Sequence, residues 1–459
     1  MNLVILGSTP HAWVAAIQMA AFGNEVTLCP SWNLLLSEPD DELLREPGLA
    51  ALRLEQERAG RLRYAAGIDY THLETATPDQ FWIASEASPQ RLLKECEGLL
   101  IAALMREACV RLPVFCVLSP FPVGTLARLQ GHMRKVADYL RQQARVDQRR
   151  VANCQPVVHA LPLFVRAGTL LQDFNQPSLV LIGSDDNADA SALLDALRPI
   201  VRRAREVMIV PLAAAELIKS GVNAMLATRM SFMNEIASLC ERIGVDVDLV
   251  RQGMAADPRI GGDYLQPGCG FGGPSFSSEL LSFARTMRDT LDRDSLIETA
   301  ISINESQREV LFRKLWRHFQ GQLAGRCFAI WGAAYKPGSA SVQDSAVHPL
   351  LQALWAQGAR TRVYDPLAGI SLAEHYPDQP LLTVVPTAYA AVQSCDEGGE
   401  GADALILVTA CEEFHCPDFG LLDASLRQPL IFDGRNIYDP DHLADLGFTY
   451  VGIGRGTVV

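Results

Sequence analysis

Four glycines, Gly268, Gly270, Gly272 and Gly273, fall within six residues and are framed by Phe271 and Phe276. Glycines at that spacing let main-chain N–H groups approach an anion closely and cradle it, because no Cβ intervenes. No Gly-Lys-Ser/Thr follows, so this is not the phosphate loop of a nucleotide triphosphatase. Beside the glycines stand Cys269, Ser275 and Glu279. A serine hydroxyl attacks only with an adjacent base to take its proton, whereas a thiol ionises more easily. No histidine neighbours Ser275 in sequence. A second polar set lies upstream: Glu216, Lys219, Asn223, Ser231 and Asn234, at steps of three, four, eight and three. Those steps keep the five residues near one face of a helix. They read either as a solvent stripe or as buried polar groups that need partners or a ligand.

The element that must carry this stripe is a long helix from Ala213 to Ile243, apolar on most sides, with Gly244 placed as its stop. Residues 2–29 read as strand, turn, helix and strand, with the helix from about Ala12 to Phe22, which is how a dinucleotide-binding βαβ unit begins. Only the first glycine of a G-x-G-x-x-G fingerprint is present, at Gly7, within Gly7-Ser8-Thr9-Pro10-His11-Ala12. Thr9 brings a Cβ where a pyrophosphate would meet backbone, and Pro10 removes an N–H. Cys29, Pro30 and Ser31 stand where an acidic residue would hold a ribose. Leu99–Leu104, Pro113–Ser119 and Pro177–Ser184 read as core strands, Ala190–Arg205 and Ser295–Phe319 as helices, and Arg134–Arg150 as a charged, solvated helix. From Arg326 a second Rossmann-like unit follows, with Gly332 in its first turn, a helix capped near Ser345, and strands at RTRVYDP, DALILVT and PLIFDGRNIYDP; Gly398–Asp403 reads as a turn.

These residues resemble the UDP-glucose 6-dehydrogenases of the UDP-glucose/GDP-mannose dehydrogenase family. The resemblance is densest from Ala213 to Leu281, where AELIKSGVNAMLATRMSFMNEIA, DPRIGGDYLQPG and GFGGPSF follow the family's AEL-K, SF-NE-A, D-RIG and PG-G(F/Y)GGSCF-KD. Weaker matches run along the rest, among them Glu46-Pro47-Gly48-Leu49 and DGRN at Arg435. The resemblance implies an NAD-dependent oxidation of UDP-glucose to UDP-glucuronate, with Ser275 at the nucleophile position, Ser278 at that of the lysine and Glu279 at that of the aspartate. It places Lys219 and Asn223 beside the reacting sugar, and Arg259, Tyr264, Leu265, Phe271, Gly272, Lys336 and Arg435 against the nucleotide sugar, with Arg259 reaching a second subunit. Pro120 takes the place of a family threonine, Leu163 and Ala167 replace two glutamates that handle protons and water, and Ser339–Ser345 replaces TDD-RES.

The fold expected is α/β: two Rossmann-like parallel-sheet domains joined by a central helical domain with one long helix. The divisions are 1–205 for a degenerate NAD-binding domain, 206–322 for a helical dimerisation domain and 323–459 for a UDP-sugar-binding domain. In 459 residues, 49% hydrophobic and 20% charged content describes a soluble globular chain, and a net charge of −13 argues against nucleic acid or an anionic membrane as partner. Eleven cysteines without a CxxC pair read as reduced thiols in a cytoplasmic protein, and no metal site is expected. MNLVILGS reads as a strand rather than a signal peptide, and no apolar run reaches the ~20 residues that span a bilayer. The expected function is a catalytically impaired homodimeric family member that keeps binding to a UDP-sugar, UDP-glucose or UDP-glucuronate, with NAD binding spoiled. Two alternatives stay open: an active dehydrogenase with atypical residues, and a regulatory subunit of an active paralogue.

Overall fold

Short, continuous apolar runs such as LVIL, FWI and FAIW are what strands covered on both faces require. In the computed structural model they form two sheets. The structure describes residues 1–29, 46–65, 78–85, 88–105, 112–142, 155–166, 168–185, 190–393 and 401–455. Pro30, Ser31, Ala167, residues 143–150 and the first part of the Gly398–Asp403 turn lie outside them. The chain divides into units 1–221 and 222–459.

In the first unit β1 (Asn2–Leu6), α1 (Pro10–Ala21), β2 (Glu25–Cys29), α2 (Leu49–Arg58), β3 (Leu62–Tyr64), β4 (Gln80–Ile83), α3 (Pro89–Leu104), β5 (Val114–Val117), α4 (Thr125–Gln142), β6 (Val157–Ala160), β7 (Leu179–Gly183) and β8 (Glu206–Val210) succeed one another, with three short helices between β6 and β8. The sheet order is β3-β2-β1-β4-β5-β6-β7-β8, parallel throughout except at β6 against β7. The order reverses beside β1, and at such switch points α/β sheets bind ligands.

A 32-residue helix, α5 (Leu212–Ile243), passes from the first unit into the second. There follow α6 (Val247–Ala255), α7 (Pro274–Leu291), α8 (Leu296–Arg308) and α9 (Val310–His318). A reciprocal Ser295–Glu298 capping box starts α8. The second sheet comprises β9 (Cys327–Trp331), β10 (Arg360–Tyr364), β11 (Leu382–Val384), β12 (Ala404–Leu407), β13 (Leu430–Asp433) and β14 (Thr449–Val451), all parallel, ordered β11-β10-β9-β12-β13-β14; α10 (Val347–Ala356) follows β9. Met233, Ala237 and Cys240 of α5 share one core with Leu265, Cys269, Leu311, Leu315, Phe328, Ile330 and Phe432. Among the described residues no helix is long and apolar enough to cross a membrane.

Several element expectations are corrected. Leu99–Leu104 is the end of α3, not a strand: Leu92, Cys96, Leu99, Leu100 and Ala103 are buried at helical spacing behind a Ser88 cap and Pro89. The strand is instead Gln80–Ile83. Ser295–Phe319 is two helices that part at Glu309, and Ala190–Arg205 contains two short ones, Ser191–Ala196 and Arg198–Val201, parted where Pro199 removes an N–H. The helix entering the charged Arg134 segment is not merely solvated, since Leu126, Leu129, Met133, Ala137 and Leu140 bury one face of α4.

The polar stripe of α5 is not a solvent face. The Glu216 carboxylate accepts the N–H groups of Gly124 (2.7 Å) and Leu126 (2.9 Å), and burial raises its pKa. Ser231 Oγ donates to Ala300 O (2.7 Å), and Asn234 Oδ1 accepts the Gly268 N–H (2.9 Å). Each of these three side chains is matched to a main-chain group, which is what burial demands. Asn234→Ala orphans a buried N–H, so it is expected to lower stability by about 1–3 kcal/mol. The check is the urea midpoint at unchanged m-value; a midpoint equal to wild type rejects it.

Candidate functional site

In the first unit the chain leaves β1 at Gly7, whose N–H donates to Cys29 O (3.0 Å) and whose φ is +128°. A Cβ there would overlap the Ala84 carbonyl oxygen, so glycine is required. Thr9 caps α1: its Oγ1 accepts the Ala12 N–H (3.3 Å) and donates to Ala84 O (3.1 Å), and Pro10 opens the helix. His11 comes next. Burial, helped by the Lys219 charge, lowers its pKa to about 4, so the imidazole is neutral. Lys219 Nζ donates to Leu163 O (3.2 Å) and sits 5.0 Å from the Phe164 ring centroid. The segment that resemblance associates with two glutamates therefore meets Lys219 through a carbonyl and an aromatic face. Glu46, singled out above only for its turn, accepts the N–H groups of Gly168 and Leu170 and anchors the next segment.

In the second unit the glycine loop is tied by side chains to its main chain. Besides Asn234, Gln307 Nε2 donates to Gly268 O (2.7 Å), and Asn304 bonds both the N–H (2.8 Å) and the carbonyl (3.0 Å) of Phe271. Arg435 donates from Nε to Val408 O (2.6 Å) and from Nη1 to Gly270 O (3.3 Å), so it links the loop to the sheet, and among the described residues it pairs with no carboxylate. Asn304, Gln307 and Arg308 lie at i, i+3 and i+4 on α8, a spacing that marks one helix face. That was the available signal for this group, which the sequence reading passed over.

Gly272 lies against the main-chain oxygen of Asp344, leaving no space for a Cβ, and the Tyr335 ring packs on Gly273. Phe271 and Phe276 meet edge to face at 5.4 Å. Ser275 is exposed at the second position of α7, and among the described residues its hydroxyl makes no side-chain hydrogen bond. Ser278 donates within its helix, to Pro274 O and Ser275 O. Asn223 Nδ2 donates to Glu279 Oε2 (2.6 Å). Cys269 is fully buried, donates to Val408 O (3.5 Å), and has its pKa raised by that burial. A thiol so placed is inert.

The remaining candidates are dispersed within this unit. Leu265 belongs to the core, and Tyr264, with φ +60°, is exposed. Lys336 is half-buried over the Tyr335 ring. Arg259 has 87% of its side chain exposed and forms a two-pronged pair with Asp257, which lowers that carboxyl's pKa. Among the described residues no cluster of His, Cys, Asp or Glu could hold a metal ion.

Residues 213–306 match the central domain of the UDP-glucose/GDP-mannose dehydrogenase family, and residues 329–440 match that family's UDP binding domain. The chain is 33% identical to a UDP-glucose 6-dehydrogenase of Pseudomonas aeruginosa over 99% of its own length and 98% of the relative's. It is 29% identical to one of Rhizobium meliloti, over 99% and 100%. A solved UDP-glucose dehydrogenase from Pyrobaculum islandicum superposes with a TM-score of 0.81 at 25% identity, covering 99% of this chain and 98% of that one. The long helix with its matched polar stripe, the tied glycine loop and the full-length likeness lead to one conclusion: this is a nucleotide-sugar dehydrogenase resembling UDP-glucose 6-dehydrogenase, and the chain belongs to the UDP-glucose/GDP-mannose dehydrogenase family.

Proposed function

We propose that this family member binds a UDP-sugar as a cytoplasmic homodimer while its dinucleotide binding and its oxidation chemistry are impaired. The contrast between its two anion cradles carries the reading. A helix start offers a pyrophosphate its unpaired N–H groups. At α1 the Ala12 N–H is taken by the Thr9 side chain, so this start does not fit a dinucleotide pyrophosphate. α7 likewise opens on a proline, Pro274, but there the preceding glycine loop is tied by Asn234, Asn304 and Arg435, and among the described residues no side chain caps the helix start. That start can face the phosphates of a nucleotide sugar, with Arg435 and Lys336 supplying positive charge nearby.

The impairment rests on chemistry. No histidine neighbours Ser275 in sequence, Leu163 and Pro120 cannot move protons, and the longer Glu279 engages the Asn223 amide. Lost members of one cooperative site do not add simply, and several together leave little rate.

The exposed apolar residues Met225, Phe232 and Leu239 recur every seven residues on α5, with Ile243 beyond them. That stripe supports a second copy as its cover, with the exposed Arg259 reaching the partner's site.

Calorimetry is expected to show saturable binding of UDP-glucose and none of NAD up to ~1 mM; low-micromolar NAD binding would revive the active-enzyme reading. In an assay of NADH formation from UDP-glucose, wild type, Ser275→Cys and Cys269→Ser are all expected to be silent. Wild-type turnover that vanishes in Cys269→Ser would make Cys269 the nucleophile, and turnover in Ser275→Cys alone would make Ser275 the main lesion. Light scattering at micromolar concentration is expected to give a dimer that Phe232→Asp weakens; a wild-type monomer counts against the interface.

A further inference from the structure

The glycine loop is tied up to Phe271, but the stretch that presents Ser275, from Gly272 to Ser278, has a different support. Ser277 Oγ donates to Asp344 Oδ2, and Asp344 Oδ1 pairs with Arg308 Nη1 at 2.7 Å. Arg308, with 12% of its side chain exposed, also donates from Nη2 to Ser345 O (3.1 Å). The Asp344 main-chain oxygen is the atom that Gly272 lies against. One residue thus meets this stretch with both its carboxylate and its backbone.

Asp344 has φ +55°, a left-handed conformation uncommon outside glycine. Such a conformation persists where surroundings hold it, and here they do. His348 Nε2 bonds Val342 O (2.7 Å) while its Nδ1 meets the Tyr376 hydroxyl (2.8 Å). The Tyr335 N–H donates to Ser341 O (3.2 Å), and the Val347 N–H to Ser345 Oγ (3.2 Å). The segment 341–345 is therefore fastened on both sides of Asp344, and Asp344 projects from a fixed frame.

A glycine-rich segment loses more conformational freedom on ordering than any other, so a ligand that must order it binds more weakly. We propose that Asp344 is a positioning residue: paired with Arg308, it holds the glycine loop and the first turn of α7 in one geometry for the diphosphate of a nucleotide sugar. This rests on the UDP-sugar reading above. Asp344 acts through Ser277 and Gly272 and touches no substrate.

Asp344→Asn keeps the shape and removes the charge that Arg308 and Ser277 meet; Ser277→Ala removes only the hydroxyl and serves should the first variant fail to fold. Two readouts are taken on the full chain: hydrogen–deuterium exchange of residues 268–279 without ligand, and UDP-glucose affinity by calorimetry. Loss of a charge-assisted hydrogen bond corresponds to roughly ten- to a hundredfold. Exchange at 268–279 is expected to quicken by about that factor in Asp344→Asn while β12 and β13 stay protected, and affinity to fall about tenfold, with Ser277→Ala weaker in the same direction. Unchanged exchange at 268–279 in both variants overturns the proposal. Faster exchange with unchanged affinity also overturns it, since Asp344 would then serve the fold alone. Faster exchange in a protein whose wild type binds no UDP-glucose leaves the clamp standing and removes the ligand, together with the UDP-sugar reading.

Discussion

Side chains from three directions grip the main chain of the glycine loop: Asn234 takes the Gly268 N–H, Gln307 its carbonyl, Asn304 both groups of Phe271, and Arg435 the Gly270 carbonyl. A segment with four glycines in six residues has too little side chain to fix itself by packing. Its order must come from hydrogen bonds to its backbone, and a buried backbone group left unbonded is costly. The placement of Phe271 follows from this grip, and Asp344 extends the support to the stretch that carries Ser275. The grip also accounts for the burial of Cys269, whose N–H pairs with Gly434 O and whose thiol meets Val408 O.

The long helix supplies the matching constraint on the other side of its sequence. Glu216 holds the loop before α4, and one turn later Lys219 meets Leu163 O and the Phe164 ring. Burial, together with the Lys219 charge, keeps His11 neutral, so that imidazole is no charged general acid at pH 7. Asn223, the next polar position, is engaged by Glu279.

The elements themselves were legible where periodicity is strong. The long helix, its Gly244 stop, the opening βαβ unit and the second Rossmann-like unit all follow from apolar spacing and from Gly and Pro placement. Leu99–Leu104 was misread because a six-residue apolar run looks alike in a strand and at a helix end, and the cap that decides it lies well upstream at Ser88. Gln80–Ile83 escaped because so short a strand carries almost no period.

By itself the sequence determined which residue types are present at the critical places: glycines in the loop, serine at 275, proline at 10, leucine at 163. These identities decide what chemistry is possible, since a hydroxyl, a ring without N–H or an apolar chain offers the same donors and acceptors wherever it sits. The tertiary structure alone decided the partners. The stripe on α5 was equally consistent with water, with a ligand and with the protein's own backbone, because a helix face specifies direction and not what stands opposite. Asp344 carries no local signal in the segment Ser339–Ser345, yet it meets Gly272, Ser277 and Arg308, which lie 72, 67 and 36 residues before it in the chain. Contacts over such separations depend on where the sheet and helices set each backbone, which local spacing does not encode.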